Sequence, residues 1–288
     1  MRYKLLVVTV TYKPDYDELL AYVDSFLKFN DLGEDAKLVV VDNSPFHFWD
    51  VSSFMEQYPM VTYIPNPKNP GFGAANNLGF SIFDSDYVLF INNDVEFLEP
   101  VFKPLIAEFE KDSKIGCIGI KQEGGSPSFF KKMTAPQNAQ LNIFNERIHF
   151  ISGAFMFFKS SVFSKIGMFD PMMFMYFEEF DLSERLIANE YKTIFIDSLH
   201  FLHKVGDRTK MNEFAAYKGA ETFCYVCKKY HTDYRKTNKT WLCRMYKLLI
   251  YNLLKINIRE FFKIIRIINY RNAIIKKYFN GVQNNTGN

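Results

Sequence analysis

Short apolar runs alternate with stretches of helical spacing through the first 91 residues, and this alternation restricts the architecture more than any other feature of the chain. Lys4 to Val10 is a strand of Leu, Val and Thr. Tyr16 to Phe29 carries apolar residues at Leu19, Leu20, Val23, Phe26 and Leu27, the period of an amphipathic helix. Leu38 to Val41 is a second strand and ends in Asp42, Asn43, Ser44 and Pro45. A short helix at Phe54–Tyr58 and a strand at Val61–Ile64 follow. Gly71 to Phe83 reads as a helix opening on a glycine-rich turn, and Tyr87 to Ile91 as a fourth strand. Strands separated by helices form a mostly parallel sheet covered on both faces. Ligands of such sheets sit beyond the carboxyl ends of the strands. The expected cleft is therefore bordered by Thr9–Tyr12, Asp42–Asn43 and Asn92–Asp94.

Composition excludes several classes. The chain is 48% apolar, enough for a large core, and its net charge of +3 argues against a general nucleic-acid binder. No apolar run approaches the roughly 18 residues of a membrane span. The N-terminal run is too short for a secretory signal and lacks a cleavage site, so the expected location is cytoplasmic. Cys117, Cys224, Cys227 and Cys243 are then expected as reduced thiols. Cys224 and Cys227 have C-x-x-C spacing without a second pair to complete a zinc set, so they read as helix-packing residues. Residues 121–148 are rich in Gly, Ser, Pro, Asn and Gln and read as a long loop over the cleft. A strand at His149–Phe158, a packing segment at Phe163–Phe169, a helix at Glu179–Asn189 and a strand at Lys192–Ile196 complete the series.

The fourth strand runs directly into Asn92, Asn93 and Asp94. A turn accounts for that triplet, since Asn and Asp tolerate left-handed backbone and bond their own main chain. A wider set of segments gives it a second reading. "VTVTY", "VVVDNS", "NPKNPGFGAANNLGF", "YVLFINNDV", "SGAFMFFKSSVFSKIGMFDPMMFMYFEEFDLSERL" and "HKVGDRT" follow one another across about residues 4–209. In that order they resemble the family 2 glycosyltransferases of GT-A fold, especially bacterial rhamnosyl- and galactofuranosyltransferases.

The resemblance implies a site residue by residue. Asn92-Asn93-Asp94 stands where the family has a D-x-D-like element that holds a divalent metal on the donor diphosphate. Only the last carboxylate is kept, and Asn92 departs from the acidic form. Mg2+ or Mn2+ takes few protein oxygens and the rest from phosphate and water, and a His partner suits Mn2+ better. The implied metal ligands are Asp94 and His203, which lies 24 residues after Glu179. His200 competes for the second place, and a hydrogen-bonded His at a strand end is the bland alternative. In Glu178-Glu179-Phe180-Asp181 the second acid, Glu179, is implied as the base that deprotonates the acceptor hydroxyl. Glu178 and Asp181 are implied on the acceptor side. Glu in place of the family's Asp lengthens the arm by one methylene. Acids opening a helix also complement its dipole without any catalytic role. The aromatic run Phe174–Phe177 either raises a carboxyl pKa or is core. Asp42, with Thr11, is implied near the nucleobase and ribose. Asn92, Asn93 and Asn76 are implied donor contacts, Asn76 having helix capping or packing as its alternative. Ser152 and Gly153 are implied to line the sugar.

From Arg244 to Phe279 there are nine Lys or Arg and one acid, Glu260. On a helix Asn252, Lys255, Arg259, Lys263 and Arg266 share one stripe on a largely apolar surface. That pattern suits an interfacial helix on an anionic membrane. It equally suits a helix packed on its own chain or on a second copy in a homodimer. The expected organisation is a GT-A catalytic domain over 1–210, a basic helical extension over 211–280 and a disordered tail over 281–288. The expected activity is inverting, metal-dependent transfer from a nucleotide-diphospho sugar (dTDP-rhamnose or UDP-galactose/galactofuranose type) to a lipid-linked or oligosaccharide acceptor at the inner membrane surface. A non-catalytic sugar-nucleotide-binding relative would lack the carboxylates, which are present here. A nucleic-acid binder would need a polar, aromatic reading surface, which the tail lacks.

Overall fold

The computed structural model describes residues 2–46, 50–124, 140–141, 147–148, 151–204 and 212–280. The chain divides into two compact units. Among the described residues, the first comprises 2–124, 151–171 and 178–204, and the second 172–177 and 212–280, with Gln140–Leu141 and Arg147–Ile148 forming a separate two-stranded sheet.

In the first unit the chain runs through β1 (Arg2–Thr11), α1 (Tyr16–Phe29), β2 (Ala36–Asp42), α2 (Val51–Gln57), β3 (Val61–Pro65), α3 (Phe72–Phe80), β4 (Asp84–Asn92), β5 (Val95–Phe97), α4 (Phe102–Lys111) and β6 (Ile115–Glu123). It continues with β7 (Phe155–Lys159), α5 (Ser160–Lys165), α6 (Glu178–Ala188) and β8 (Lys192–His203). These strands form one eight-stranded sheet in the order β3-β2-β1-β4-β7-β6-β8-β5. β1, β2, β3 and β4 are mutually parallel, as β6 is to β8. β7 is antiparallel to both its neighbours, and β5 to β8.

Alternate residues of β1 divide between two cores. Leu5 and Val7 pack with Leu19, Tyr22, Val23 and Phe26 of α1 and with Leu105 and Phe109 of α4. Leu6 and Val8 join Ala75 of α3, Phe163 of α5 and Leu182 and Leu186 of α6. A strand covered on both faces has no place for alternating polar residues, which explains the continuous apolar run. α1 begins where expected because Asp15 accepts hydrogen bonds from the backbone N–H groups of Asp17 and Glu18. α3 lies so close to the sheet that a Cβ on Gly79 would stand 2.5 Å from Cγ1 of Val8 and 3.0 Å from Cγ2 of Val41.

The early strands and α1 match the expected spans to within three residues at each end. The strand expected over His149–Phe158 is instead Phe155–Lys159, with Ser152–Ala154 in a turn and His149 outside the described residues. The expected loop over 121–148 begins as strand, since β6 continues to Glu123, and most of the rest lies outside the described residues. The last strand is longer than expected and runs to His203. Asp197 and Ser198 break its pattern and are exposed, the register to β6 shifts between Ile196 and His200, and alternation resumes at Phe201 and His203.

In the second unit α7 (Glu213–Lys229), α8 (Tyr234–Leu254) and α9 (Ile258–Asn280) follow one another. Phe223, Cys224 and Cys227 of α7 pack with Ile275 of α9. The two thiols are thus core residues, and burial pushes Cys227 up to about 11 and Cys224 to about 12. Ile264, Ile267 and Ile268 of α9 are also buried, so the extension is packed on its own chain along this face. The basic stripe is divided. Arg266 binds Glu213, Lys263 pairs with Glu260 and Asn252 is buried, whereas Lys255 and Arg259 are exposed.

Phe90 is fully buried in β4, with the rings of Phe163 and Phe169 centred 4.6 Å and 4.9 Å from its own. Phe90→Ala is expected to destabilise the fold by about 3–5 kcal/mol through lost burial and a residual cavity, read as a lowered denaturant midpoint with an unchanged slope.

Candidate active site

Register brings the ends of three strands to one edge. Thr11 lies opposite Asp42, and Val10 opposite Asn92. Asp42 is 1% exposed and its carboxylate is already engaged. Thr11 Oγ1 donates to Oδ1 at 3.0 Å, the Ser44 N–H donates to Oδ1 at 2.9 Å, and the Tyr63 hydroxyl donates to Oδ2 at 2.7 Å. Burial and then the Asp42 hydrogen bond push the Tyr63 hydroxyl upward, so it stays a donor. Asn66 donates to the side chain of Asn43. Thr11 and Asp42 thus brace the carboxyl ends of β1 and β2 against β3.

Asn76, the other expected donor contact on this side, is buried in α3. Its amide donates to the carbonyl of Phe72 one turn back, and its Oδ1 has no hydrogen-bond partner. Its neighbour Asn77, which no spacing singled out, bonds both the carbonyl and the N–H of Phe169. That double bond fixes the start of the Phe169–Pro171 segment, which leads towards the acids.

The metal-ligand candidates meet where β5 pairs with β8. His203 is opposite Val95, one residue beyond Asp94, and the Lys204 N–H donates to the carbonyl of Asp94 at 2.8 Å. Nε2 of His203 stands 3.1 Å from Oδ1 of Asp94. The pair is close without being aligned as a hydrogen bond, because Asp94 Oδ1 and His203 Nδ1 are both buried and unsatisfied. Two ligands at the roughly 2.0–2.1 Å bond lengths of an octahedral divalent ion lie about 3 Å apart. The pair fits such an ion on one flank, with the remaining positions left to phosphate oxygens and water. Among the described residues no cluster of three His, Cys, Asp or Glu is present, and Asp94 and His203 stand as a pair. His200 is elsewhere: its Nδ1 and N–H both contact Glu99 Oε1, at 3.0 Å and 2.8 Å. Asn93 shares the β4–β5 turn with Asp94, and the Asn92 N–H is tied to the carbonyl of Ala154.

The acid pair opens α6. Tyr176 and Phe177, just before it, have φ of 70° and 71°, a left-handed conformation that bulky residues adopt only when the fold imposes it. Glu178 is buried and its Oε1 has no partner. Burial, then the charges of Glu179 and Asp181, hold its carboxyl well above the ordinary glutamate range. Glu179 is half-buried, and its Oε1 accepts the Gly153 N–H at 2.9 Å. Burial raises its pKa too, opposed by that hydrogen bond and by its own N–H. Gly153 permits this contact: a Cβ there would lie 2.4 Å from Glu179 Oε1. Ser152 is exposed beside it. Asp181 is buried and clamped by Arg185, which also bonds the carbonyl of Ile166. Its carboxylate is thus tied to α6 through Arg185. A small pocket reaches Glu179 and is lined by Ile151, Met156, Phe158, Leu182 and Leu186.

One site thus combines a carboxylate held above its ordinary pKa with an unsatisfied Asp–His pair at the carboxyl edge of a parallel sheet. The chain is a glycosyltransferase of GT-A fold. It belongs to glycosyl transferase family 2, whose model matches residues 6–167, more than half of the chain. It is similar to the N-acetylglucosaminyl-diphospho-decaprenol L-rhamnosyltransferase of Mycobacterium tuberculosis, 24% identical over 237 residues, covering 69% of this chain and 75% of that protein. Among solved structures it resembles the mannosyltransferase PcManGT from Pyrobaculum calidifontis, in complex with GDP-Man and Mn2+. The TM-score is 0.59 at 14% identity, over 100% of this chain and 77% of that one. It also resembles S. aureus TarS residues 1–349, with a TM-score of 0.58 at 14% identity, over 78% of this chain and 64% of that one. GalNAc-T7, solved with UDP, GalNAc and Mn2+, matches at TM-score 0.56 and 16% identity, over 69% of this chain and 43% of that one. At these identities the structural matches establish the fold. The chain spans less than two thirds of the TarS and GalNAc-T7 chains.

Two outcomes follow from the acid pair. Gly153→Ala forces the Glu179 carboxylate aside and is expected to lower kcat about 10- to 100-fold with less change in KM, the usual penalty of an ångström-scale misplacement. Glu178 acts on stability. A carboxyl raised above its unfolded value contributes fully below about pH 4.3 and loses that contribution as pH rises through the raised value. Glu178→Gln is therefore expected to raise Tm at about pH 8 and to leave it nearly unchanged at about pH 4; thermal unfolding at the two pH values checks the difference.

Proposed function

We propose that this chain transfers a sugar, rhamnose above galactose or galactofuranose, from a nucleotide-diphospho donor to a saccharide carried on a lipid diphosphate, with inversion at the anomeric carbon. The product would belong to a surface polysaccharide. The observation that carries the reading is the pairing of Asp94 with His203, both with buried unsatisfied atoms, in the same unit as the Gly153–Glu179 contact. The choice of rhamnose and of a lipid diphosphate is supported by the similarity to the mycobacterial rhamnosyltransferase.

In this reading Glu179 removes the acceptor hydroxyl proton as that oxygen attacks. The Gly153 N–H holds Oε1 and so orients Oε2 towards the incoming proton. Burial keeps the carboxyl more basic than a solvated glutamate, which strengthens it as an acceptor near neutral pH. Glu178, harder still to ionise, keeps a second negative charge away from the developing nucleophile. Asp94 and His203 would hold Mn2+ or Mg2+, which when bound neutralises charge on the diphosphate leaving group. Asp42 with Thr11, and Asn76, would act behind the surface that receives the nucleoside, fixing the backbone instead of touching the base. A lipid-linked acceptor places the enzyme at the cytosolic face of a membrane as a peripheral protein. No helix among the described residues is long and apolar enough to cross one.

A panel of dTDP-, UDP- and GDP-sugars, each tested with a synthetic lipid-diphosphate N-acetylglucosamine acceptor, tests the reading. dTDP-rhamnose is expected to give the product, chelator to abolish it and Mn2+ to restore it. Asp94→Ala and His203→Ala are expected to weaken metal-dependent donor binding. Glu179→Gln is expected to keep that binding and to slow single-turnover transfer by about two to four orders of magnitude. Undiminished transfer in chelator would refute the metal assignment, and a Glu178→Gln defect larger than that of Glu179→Gln would move the base to its neighbour.

A further inference from the structure

The junction of α8 and α9 is exposed in a way the rest of the helical unit is not. Residues 253–259 are all exposed, and four of the seven, Leu253, Leu254, Ile256 and Ile258, are large and aliphatic. Leu254 is 78% exposed and Ile256 81%. Ile256 also has φ of 55°, a left-handed conformation that strongly disfavours a β-branched residue. Asn or Gly would relieve that strain, yet the turn presents an isoleucine to solvent.

The surroundings are layered. Tyr251 and Phe262 lie one turn or less from the tip, and Ile250 and Tyr246 follow along α8; all four are half or more exposed. Arg244, Lys247, Lys255 and Arg259 are exposed on the same stretch. With a rise of about 1.5 Å per residue, Lys247 stands roughly 10 Å behind Leu254 along the helix. Burial of the tip by the 5–10 Å typical of interfacial helices leaves Lys247 at headgroup level, while Lys255 and Arg259, within the tip, reach back to the headgroups along their long side chains. Tyrosines with an apolar body and a polar tip suit the boundary between the two layers.

We infer that the α8–α9 tip is a membrane-insertion element that takes an anionic phospholipid bilayer as its partner. Leu254 and Ile256 enter the acyl region, while Lys247, Lys255 and Arg259 contact phosphate headgroups. This deepens the lipid-linked acceptor reading by assigning membrane contact to the turn instead of to the full basic stripe, in which Lys263 and Arg266 are paired within the protein. A bilayer is favoured over a protein partner by the charge. Arg244, Lys247, Lys255 and Arg259 are exposed around the tip, and the nearest acid, Glu260, is paired with Lys263, so the exposed charge there complements an anionic surface.

Flotation of the full chain on phosphatidylcholine vesicles with and without phosphatidylglycerol tests this. The wild type is expected to float on the anionic vesicles and to bind more weakly, without release, as salt rises. Leu254→Ser with Ile256→Asn is expected to lower the partition coefficient about tenfold or more per side chain. Asn tolerates the left-handed backbone, so that variant should remain folded by circular dichroism. Lys255→Gln and Arg259→Gln should each lower binding to anionic vesicles about fivefold, with the loss vanishing at high salt. Wild-type protein that stays unbound, or a double variant that floats like the wild type, overturns the inference. So does a wild-type dimer that the double variant converts to monomer while neither floats, which makes the tip a contact between copies. Transfer to a detergent-dispersed lipid acceptor separates the two readings. Transfer without flotation sinks the insertion element alone, whereas flotation without transfer sinks the acceptor reading alone.

Discussion

The site rests on the burial of β1 on both faces. Because Leu5 and Val7 are taken by one helical layer and Leu6 and Val8 by the other, the strand cannot slip by a residue without moving every side chain into the wrong core. β2 and β4 are paired to either side of it in parallel register, so Thr11, Asp42 and Asn92 are held at one edge by the same constraint. The close seat of Gly79 on Val8 and Val41 adds a steric limit on how far α3 can shift. Catalytic geometry at that edge is therefore inherited from hydrophobic packing a few residues upstream.

At the edge itself the fold is arranged against its own stability. A buried carboxylate, Glu178, with an oxygen that no group satisfies, stands beside the half-buried Glu179. Two bulky residues before them adopt positive φ. An Asp–His pair faces itself at contact distance without a hydrogen bond. The orphaned carboxylate oxygens and the backbone strain each cost stability, as is common where a fold holds polar groups ready for a ligand. Arg185 on Asp181 and Asn77 on Phe169 hold the segment around the acids while that strain persists.

Much of this was legible from the amino acids because it obeys local rules. The period of α1, and the unbroken apolar runs of β1, β2 and β4, fix those elements to within three residues. β5, α4 and β6 were not assigned, although Pro100 and the Asp112-Ser113 turn mark their boundaries; β5 is only three residues long, too short to show a period. The acids and His203 stood out only through resemblance to a family; pairing with β5 brings His203, and not His200, beside Asp94. The state of Asp42 could not be foreseen. Its partner Tyr63 lies 21 residues away on another strand, and a carboxylate that braces is written with the same letter as one that binds. The same holds for Asp181, whose tie to Arg185 is an ordinary i, i+4 pair until its burial is known.

The irregularity in β8 has a consequence for how such chains can change in length. Between Ile196 and His200 the strand loses its register with β6, and Asp197 and Ser198 point into solvent. Beyond that break, His203 takes its position from Val95 across the sheet, and Lys204 secures it to the backbone of Asp94. The interval from the acids to the histidine is thus interrupted by a slack segment that can absorb an insertion or deletion while the cross-strand clasp stays intact. The pairing of His203 with Val95 is fixed across the sheet, and the break upstream of it is where a change in chain length would disturb that pairing least.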